Sequence, residues 1–552
     1  MSKIKKNILI ILIGVILVVG VSAFGFAGEK SLPLDAASEQ VIYLPCQNEA
    51  GTYMDSMKTI YNSVQGGTKI VQESLMAFNK DLEVVNLGAE SWEVSKDGLT
   101  WIFHLGKELK WSDGKPVTAH DYVFALQRCV KQGYDFGWYW SSAAGIKNWN
   151  KVEKGELPLE ELGIKALDDY TLVITTDVIK PYLLGILTWL YPVPRHAVEK
   201  YGDEYATRVE TMVCNGSFKV SEWVKGSHIT FVQNPYYNGF WKPYLQKIIL
   251  KYGTFEAETG FPAYINDEIG LSYLNPGQLA YAEKNISDQM HSWPNFNAFY
   301  LSFDTTKPPF NDVKVRQAFN HVLNREELCS TVLKGMATPE YSILVKGFPG
   351  YDPTEAKKLS EYDIELARKL LTEAGYPDGK GFPKLELWVK SSAALDPVQK
   401  PAATYIQAHF KEVLGVDVIP RSVEAKTFSD ALNKHTHNLF LVKYGFDYID
   451  PSNYMDIFLT GGRHAWSNPE YDELVREADS VEDWEERIEK YRKAEKILVQ
   501  EAPAVFVFQQ IMSAVWKPYI KGEGVETNKN GITGWGNMWA YYVMTHIYVA
   551  KH

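Results

Sequence analysis

The sequence predicts an α/β protein with mixed sheets and flanking helices. Two patterns predict it. Turn-linked alternating runs dominate part of the first half, while strand-like and helical segments alternate in the second. The composition agrees: 45% of the 552 residues are hydrophobic and 23% charged, an ordinary globular balance. No repeat of solenoid length and no low-complexity tract interrupts the chain.

The elements follow in order. Residues 40–44 read as a short strand. Asp97-Gly98 lies between two alternating runs within 90–105, a hairpin signal, and a second turn falls at 111–116. Thr118-Ala-His-Asp121 reads as a capping box that opens a helix through Tyr122, Leu126 and Val130. A turn and strand follow over 167–176. Residues 218–224 and 228–232 alternate around Lys225-Gly226, and strands are expected at 248–252 and 299–303. One helix is predicted over 312–328 and another over 363–374, with Gly375 as its stop. Beyond these come a strand at 385–389, a helix at 401–413 and a strand near Val418. A charged helix carrying Trp484, Ile488, Tyr491 and Leu498 on one face leads into a buried strand at 505–508.

Charge and targeting narrow the function. The 57 Lys+Arg against 68 Asp+Glu leave a formal charge of −11, which argues against a general nucleic-acid binder. Lys3, Lys5 and Lys6 precede an uncharged aliphatic run ending in small residues, which predicts a signal peptide over 1–27 and an exported protein. An uncleaved anchor helix is the alternative. No cysteine follows the run, so a lipid-modified N-terminus is not expected. Cys46, Cys129, Cys214 and Cys329 are compatible with one or two disulfides or with buried thiols.

Chemistry-bearing motifs are absent. There is no H-E-x-x-H, no G-x-S-x-G, no P-loop and no G-x-G-x-x-G. His435-Thr-His437 lacks a third ligand in an evident frame, so no metal and no cofactor are expected. The balance shifts toward binding rather than catalysis. A secreted hydrolase with a carboxylate pair is the residual enzymatic reading.

Several blocks then resemble one family. They are Ala89-Glu-Ser-Trp-Glu-Val-Ser-Lys-Asp-Gly-Leu-Thr-Trp-Ile-Phe-His-Leu105, residues 109–124, Asn234-Pro-Tyr-Tyr-Asn238, residues 307–318, residues 367–376, Asp447-Tyr-Ile-Asp-Pro451 and the C-terminal 548–552. Together they resemble the family 5 extracytoplasmic solute-binding proteins of ABC importers, nearest to the oligopeptide-binding members. The resemblance implies a two-lobe periplasmic-binding-protein fold with an extra inserted domain and a hinge between lobes. Lobe I would take 28–74, 193–295 and 511–552, the inserted domain 75–192, and lobe II 296–510. It implies a monomeric receptor in the periplasm or at the envelope exterior, which captures a short peptide and passes it to a membrane permease. An oligosaccharide is the alternative ligand.

The resemblance also implies site residues. Asp447 would hold the peptide α-ammonium, since a buried ammonium is costly unless paired. Asp450 is expected to be a turn or helix-start residue. Tyr444 and Gly445 match the strand that binds the ligand main chain, and Tyr300 a pocket-lining tyrosine. Trp138 and Tyr139 fall near an aromatic pocket position, and Asn62 and Ser63 in a first-lobe loop meeting the ligand. Leu432 and Leu441 stand where relatives carry basic residues for peptide C-termini.

Overall fold

The computed structural model describes residues 30–46, 53–58, 67–134, 136–391, 396–534 and 540–552. Asn62, Ser63 and the expected signal peptide lie outside the described residues.

A four-stranded sheet forms from distant parts of the chain. Val41–Pro45 pairs in parallel with Lys247–Lys251, which is followed by antiparallel His228–Gln233 and Phe218–Val224. Ile42, Leu44, Ile229, Phe231, Ile248 and Leu250 are buried, so the alternation seen in the sequence becomes a core face. The Lys225-Gly226 turn closes the hairpin with Gly226 at φ 73°, where a side chain would be strained.

A second four-stranded sheet is wholly antiparallel, in the order Ala89–Val94, Thr100–Leu105, Thr171–Thr175 and Ile164–Asp168. Against it packs the helix Ala119–Gln132. Its start is as predicted: the Asp121 carboxylate accepts the Thr118 main-chain N–H at 2.9 Å and the Trp111 indole N–H at 3.3 Å. Gly133, in the left-handed region, ends it.

The third sheet is the largest, with seven strands of mixed direction. Its order is Leu271–Tyr273, Ala504–Trp516, Met290–Phe303, Leu439–Gly445, Leu385–Lys390 and Val418–Val423, with Ala337–Pro339 also paired to Ala504–Trp516. The two long strands run antiparallel for most of their length, but the register breaks between Pro294 and Ala298. On one side of the break 290–294 pairs with 511–515; on the other 298–302 pairs with 504–509. Phe299 stacks on Phe508 at 4.5 Å within an apolar core that includes Leu301, Leu387, Leu441 and Val507.

Four expectations need correcting. The strands expected at 299–303 and 505–508 are 14 and 13 residues long. Pro294, Asn297, Gln509, Gln510 and Ser513 dilute their apolar pattern, and pairing with each other supplies what hydrophobicity does not. The helix expected over 312–328 stops at Val322. Leu323 turns extended, and the Asn324 side chain accepts the Glu327 N–H at 3.1 Å to start a new turn. Arg325 is fully buried at this corner and donates to the carbonyls of Asn320, Leu323, Glu340, Ser360 and Phe506, bonds that a continuous helix would not allow. The helix expected to begin at Pro401 begins earlier and spans Asp396–Leu414 with Pro401 inside.

All four cysteines are buried and none is joined in a disulfide. Burial pushes the Cys129 and Cys214 thiols up to about 12. No helix among the described residues is long and apolar enough to cross a membrane.

Candidate ligand-binding site

The strand Leu439–Gly445 runs out of the large sheet into the segment that carries both candidate aspartates. One edge of this strand pairs with Met290–Phe303 along its whole length. The other pairs with Leu385–Lys390 at Trp388–Phe440 and Val389–Leu441 only. Beyond Leu441, no strand among the described residues pairs with that second edge.

Asp450 folds the segment. Its carboxylate accepts the main-chain N–H and hydroxyl of Ser452 at 3.0 and 2.8 Å, starting the short helix Ser452–Met455. It also forms a two-pronged ion pair with Arg487, both bonds at 2.6 Å. Arg487 is buried, donates further to the Ala478 carbonyl and the Tyr491 hydroxyl, and lies over the Tyr182 ring at 4.9 Å.

With Asp450 engaged, Asp447 is placed differently. Its main-chain N–H donates to Asn453 Oδ1 at 3.1 Å, and its carbonyl accepts the Trp189 indole N–H at 2.8 Å. Its carboxylate is hydrogen-bonded by the Asn453 side chain and accepts a long bond from the Tyr444 hydroxyl, 3.4 Å. No cation among the described residues lies within ion-pair distance of it. Burial raises its pKa, opposed by Asn453, Arg463, Lys443 and Tyr444. It is a half-buried carboxylate with neutral hydrogen-bond partners and, among the described residues, no ion pair.

The facing surface comes from the first part of the chain. Trp189 lies beneath the Lys69 ammonium, 3.9 Å from the ring centre. Burial pushes Lys69 down to about 7, against the pull of Asp447. Tyr139 is fully buried, donates to the Ile186 carbonyl at 3.3 Å, and sets its ring 6.4 Å from Tyr448. Tyr182 stacks on Tyr448 at 5.3 Å with the planes 7° apart. An aromatic seam therefore joins the two parts of the chain beside Asp447.

The expected residues divide accordingly. Asp447, Tyr444, Gly445 and Tyr139 gather at this seam. A Cβ on Gly445 would lie 2.5 Å from Asn297 Oδ1, so the residue's smallness permits the strand contact. Trp138 is 43% exposed, and its ring stands perpendicular to that of Tyr139 at 5.6 Å. Tyr300 is fully buried in the wall behind, its hydroxyl hydrogen-bonded to His464 Nε2 at 3.0 Å. His437 bonds the Glu386 carbonyl at 2.8 Å and stacks on Trp388, and no metal-ligand cluster of three such side chains occurs among the described residues.

The fold and this seam can be set beside known proteins. The model of bacterial extracellular solute-binding proteins, family 5 middle, matches residues 83–466. The chain belongs to this family. It is 31% identical over 508 residues to the "Probable deoxycholate-binding periplasmic protein YgiS" of Escherichia coli (strain K12), covering 90% of this chain and 93% of that one. It is also 31% identical to the periplasmic oligopeptide-binding protein OppA of Salmonella typhimurium, covering 84% of each. Among solved structures, the Escherichia coli murein tripeptide binding protein MppA matches with TM-score 0.77 and 26% identity, covering 94% of this chain and all of that one. Haemophilus influenzae OppA in complex with RPPGFSPFR matches with TM-score 0.74 and 26% identity, at the same 94% coverage of this chain.

This family 5 protein is thus a two-lobe solute-binding receptor rather than an enzyme. Sequence reading missed four of the side chains at its seam. Trp189 and Lys69 carry no local signal, because only folding brings them to Asp447. Lys443 does carry one: it is the single charge in the otherwise apolar and aromatic strand Leu439–Gly445. Arg463, packed over the Tyr444 ring at 5.1 Å, sits in a glycine-rich turn and reads as solvent-exposed.

Proposed function

We propose that this receptor captures a short peptide between its lobes and delivers it to the membrane permease of an ABC importer. The observation that carries the reading is the pairing of a half-buried Asp447 carboxylate, without an ion pair among the described residues, with the adjoining free edge of the strand Leu439–Gly445. An extended peptide adds to such an edge through main-chain hydrogen bonds, and its α-ammonium meets the carboxylate. Affinity of that kind is largely independent of side-chain identity. The relatives named for oligopeptide and murein tripeptide binding support it.

The lobes in this reading are the discontinuous segments 28–74, 193–295 and 511–552, with the insertion 75–192, against 296–510. The register break between Pro294 and Ala298 lies where the hinge is expected. Ligand favours the closed state because only that state brings both surfaces to it. The protein works as a monomer in the periplasm or at the envelope exterior, and the relatives named as periplasmic support that location.

Mass spectrometry of the small molecules that co-purify with the protein tests the reading. Short peptides with free N-termini are expected. Oligosaccharides in their place, or a recovered ligand that has been chemically cut, would overturn it.

A further inference from the structure

Three cations surround the free edge of the strand. Lys443 lies in the strand, and its Nζ is 3.3 Å from where a Cβ of Gly445 would stand. Lys390 ends the neighbouring strand, one residue past the Val389–Leu441 rung, and so borders the same edge. The Arg463 guanidinium covers the Tyr444 ring. Each is half-buried, and none has a carboxylate within 4.0 Å among the described residues. They repel one another: Lys390 and Arg463 both press Lys443 toward its neutral form after burial has done so, to about 8. Arg463 does the same to Lys390.

The acidic groups that also act on these cations do not balance them. Glu424 is spent on the N–H groups of Lys426 and Thr427 at the start of its helix. Asp447 is one carboxylate against three positive charges, and it is the group reserved for the ligand's ammonium. In a chain with net charge −11, three half-buried cations with no carboxylate partner among the described residues are held at a cost. That cost is recovered when an anion arrives.

We propose that Lys443 and Arg463, with Lys390 behind them, form an anion subsite that takes a carboxylate of the enclosed ligand close to the group held by Asp447. The inference deepens the peptide reading: the preferred peptide is acidic near its N-terminus or short enough to bring its C-terminal carboxylate there. A carboxylate could also come from an amphiphilic acid, the class named for the YgiS relative.

The test is calorimetry on the intact protein with matched pairs that differ by one charge. The first set is tripeptides with Glu or Gln at each position in turn, and free-acid against amide C-termini. The second is deoxycholate against its methyl ester. At least one acid is expected to bind about tenfold more tightly than its neutral partner, as a desolvated charge-assisted bond predicts. That ratio should collapse toward one in Lys443→Gln/Arg463→Gln, whose folding is checked by thermal unfolding. Discrimination confined to the deoxycholate pair would uphold the subsite and overturn the peptide reading. Equal binding within every pair, including failure of all acids to bind, would overturn the subsite; tight binding of neutral peptides would then leave the peptide reading intact. A ratio that survives the double substitution would equally overturn the assignment.

Discussion

Trp189 donates its indole N–H to the main-chain carbonyl of Asp447 at 2.8 Å, joining residues 258 apart in the chain. The bond fixes the backbone of the candidate anchor from the opposite surface and leaves its carboxylate available. A single hydrogen bond thus links the position of Asp447 to the approach of the two surfaces.

Trp189→Phe keeps most of the aromatic packing and removes that donor. The loss should cost about 0.5–1.5 kcal/mol, the usual net worth of one neutral hydrogen bond. Because the bond spans the seam, ligand affinity should fall by the same amount and the unliganded protein should become less compact. Calorimetry and small-angle scattering check this. An unchanged radius with unchanged affinity would remove Trp189 from the closing surface.

Asp447→Ala should weaken peptide binding by about 2–5 kcal/mol, the cost of stranding a buried charge when its partner is cut away. N-acetylation of the peptide should weaken binding to the native protein and make little further difference to the variant. Calorimetry with both peptide forms gives the comparison, and equal affinity of the native protein for the two forms would discard the ammonium anchor.

Arg487→Met should destabilise the fold by about 3–5 kcal/mol, since it leaves the Asp450 carboxylate buried without its partner. Denaturant unfolding measures this. The double variant Asp450→Asn/Arg487→Met should recover part of the loss, because no buried charge then remains unpaired.

Glu73 links acidity to stability. Its Oε2 accepts the hydroxyls of Tyr237 and Tyr541 at 2.8 and 3.0 Å, while its Oε1 is buried without a partner. Burial pushes its pKa up to about 7 from an ordinary 4.5, opposed by the two tyrosines. Between these values the folded chain holds a proton that the unfolded chain releases, so this group's contribution to stability falls as pH rises from about 4.5 to 7. Glu73→Gln cannot titrate. Its stability relative to the native protein should therefore rise across that window and level off above it. Thermal unfolding over pH 4 to 9 checks the sign.

Much of the architecture was legible because its signals are local. The Asp97-Gly98 turn, the Thr118–Asp121 capping box and the Lys225-Gly226 hairpin each depend on a few neighbouring residues, and each forms as expected. Asp450 was recognisable as a turn residue, but its buried ion pair with Arg487 was not, because the partner lies 37 residues away on another helix. The long strands Met290–Phe303 and Ala504–Trp516 were seen only in their apolar halves. Their polar halves are strand because each supplies the other's hydrogen bonds.

The amino-acid order alone determined the mixed α/β class, the order of most elements and, through blocks spread along the chain, the family. These depend on periodicity, turn chemistry and short motifs, which survive without long-range contacts. The tertiary structure decided which charges face one another: Asp447 across from Trp189 and Lys69, and Lys443, Lys390 and Arg463 around one strand edge. Their protonation and pairing depend on burial and on neighbours tens to hundreds of residues away, and only packing creates either.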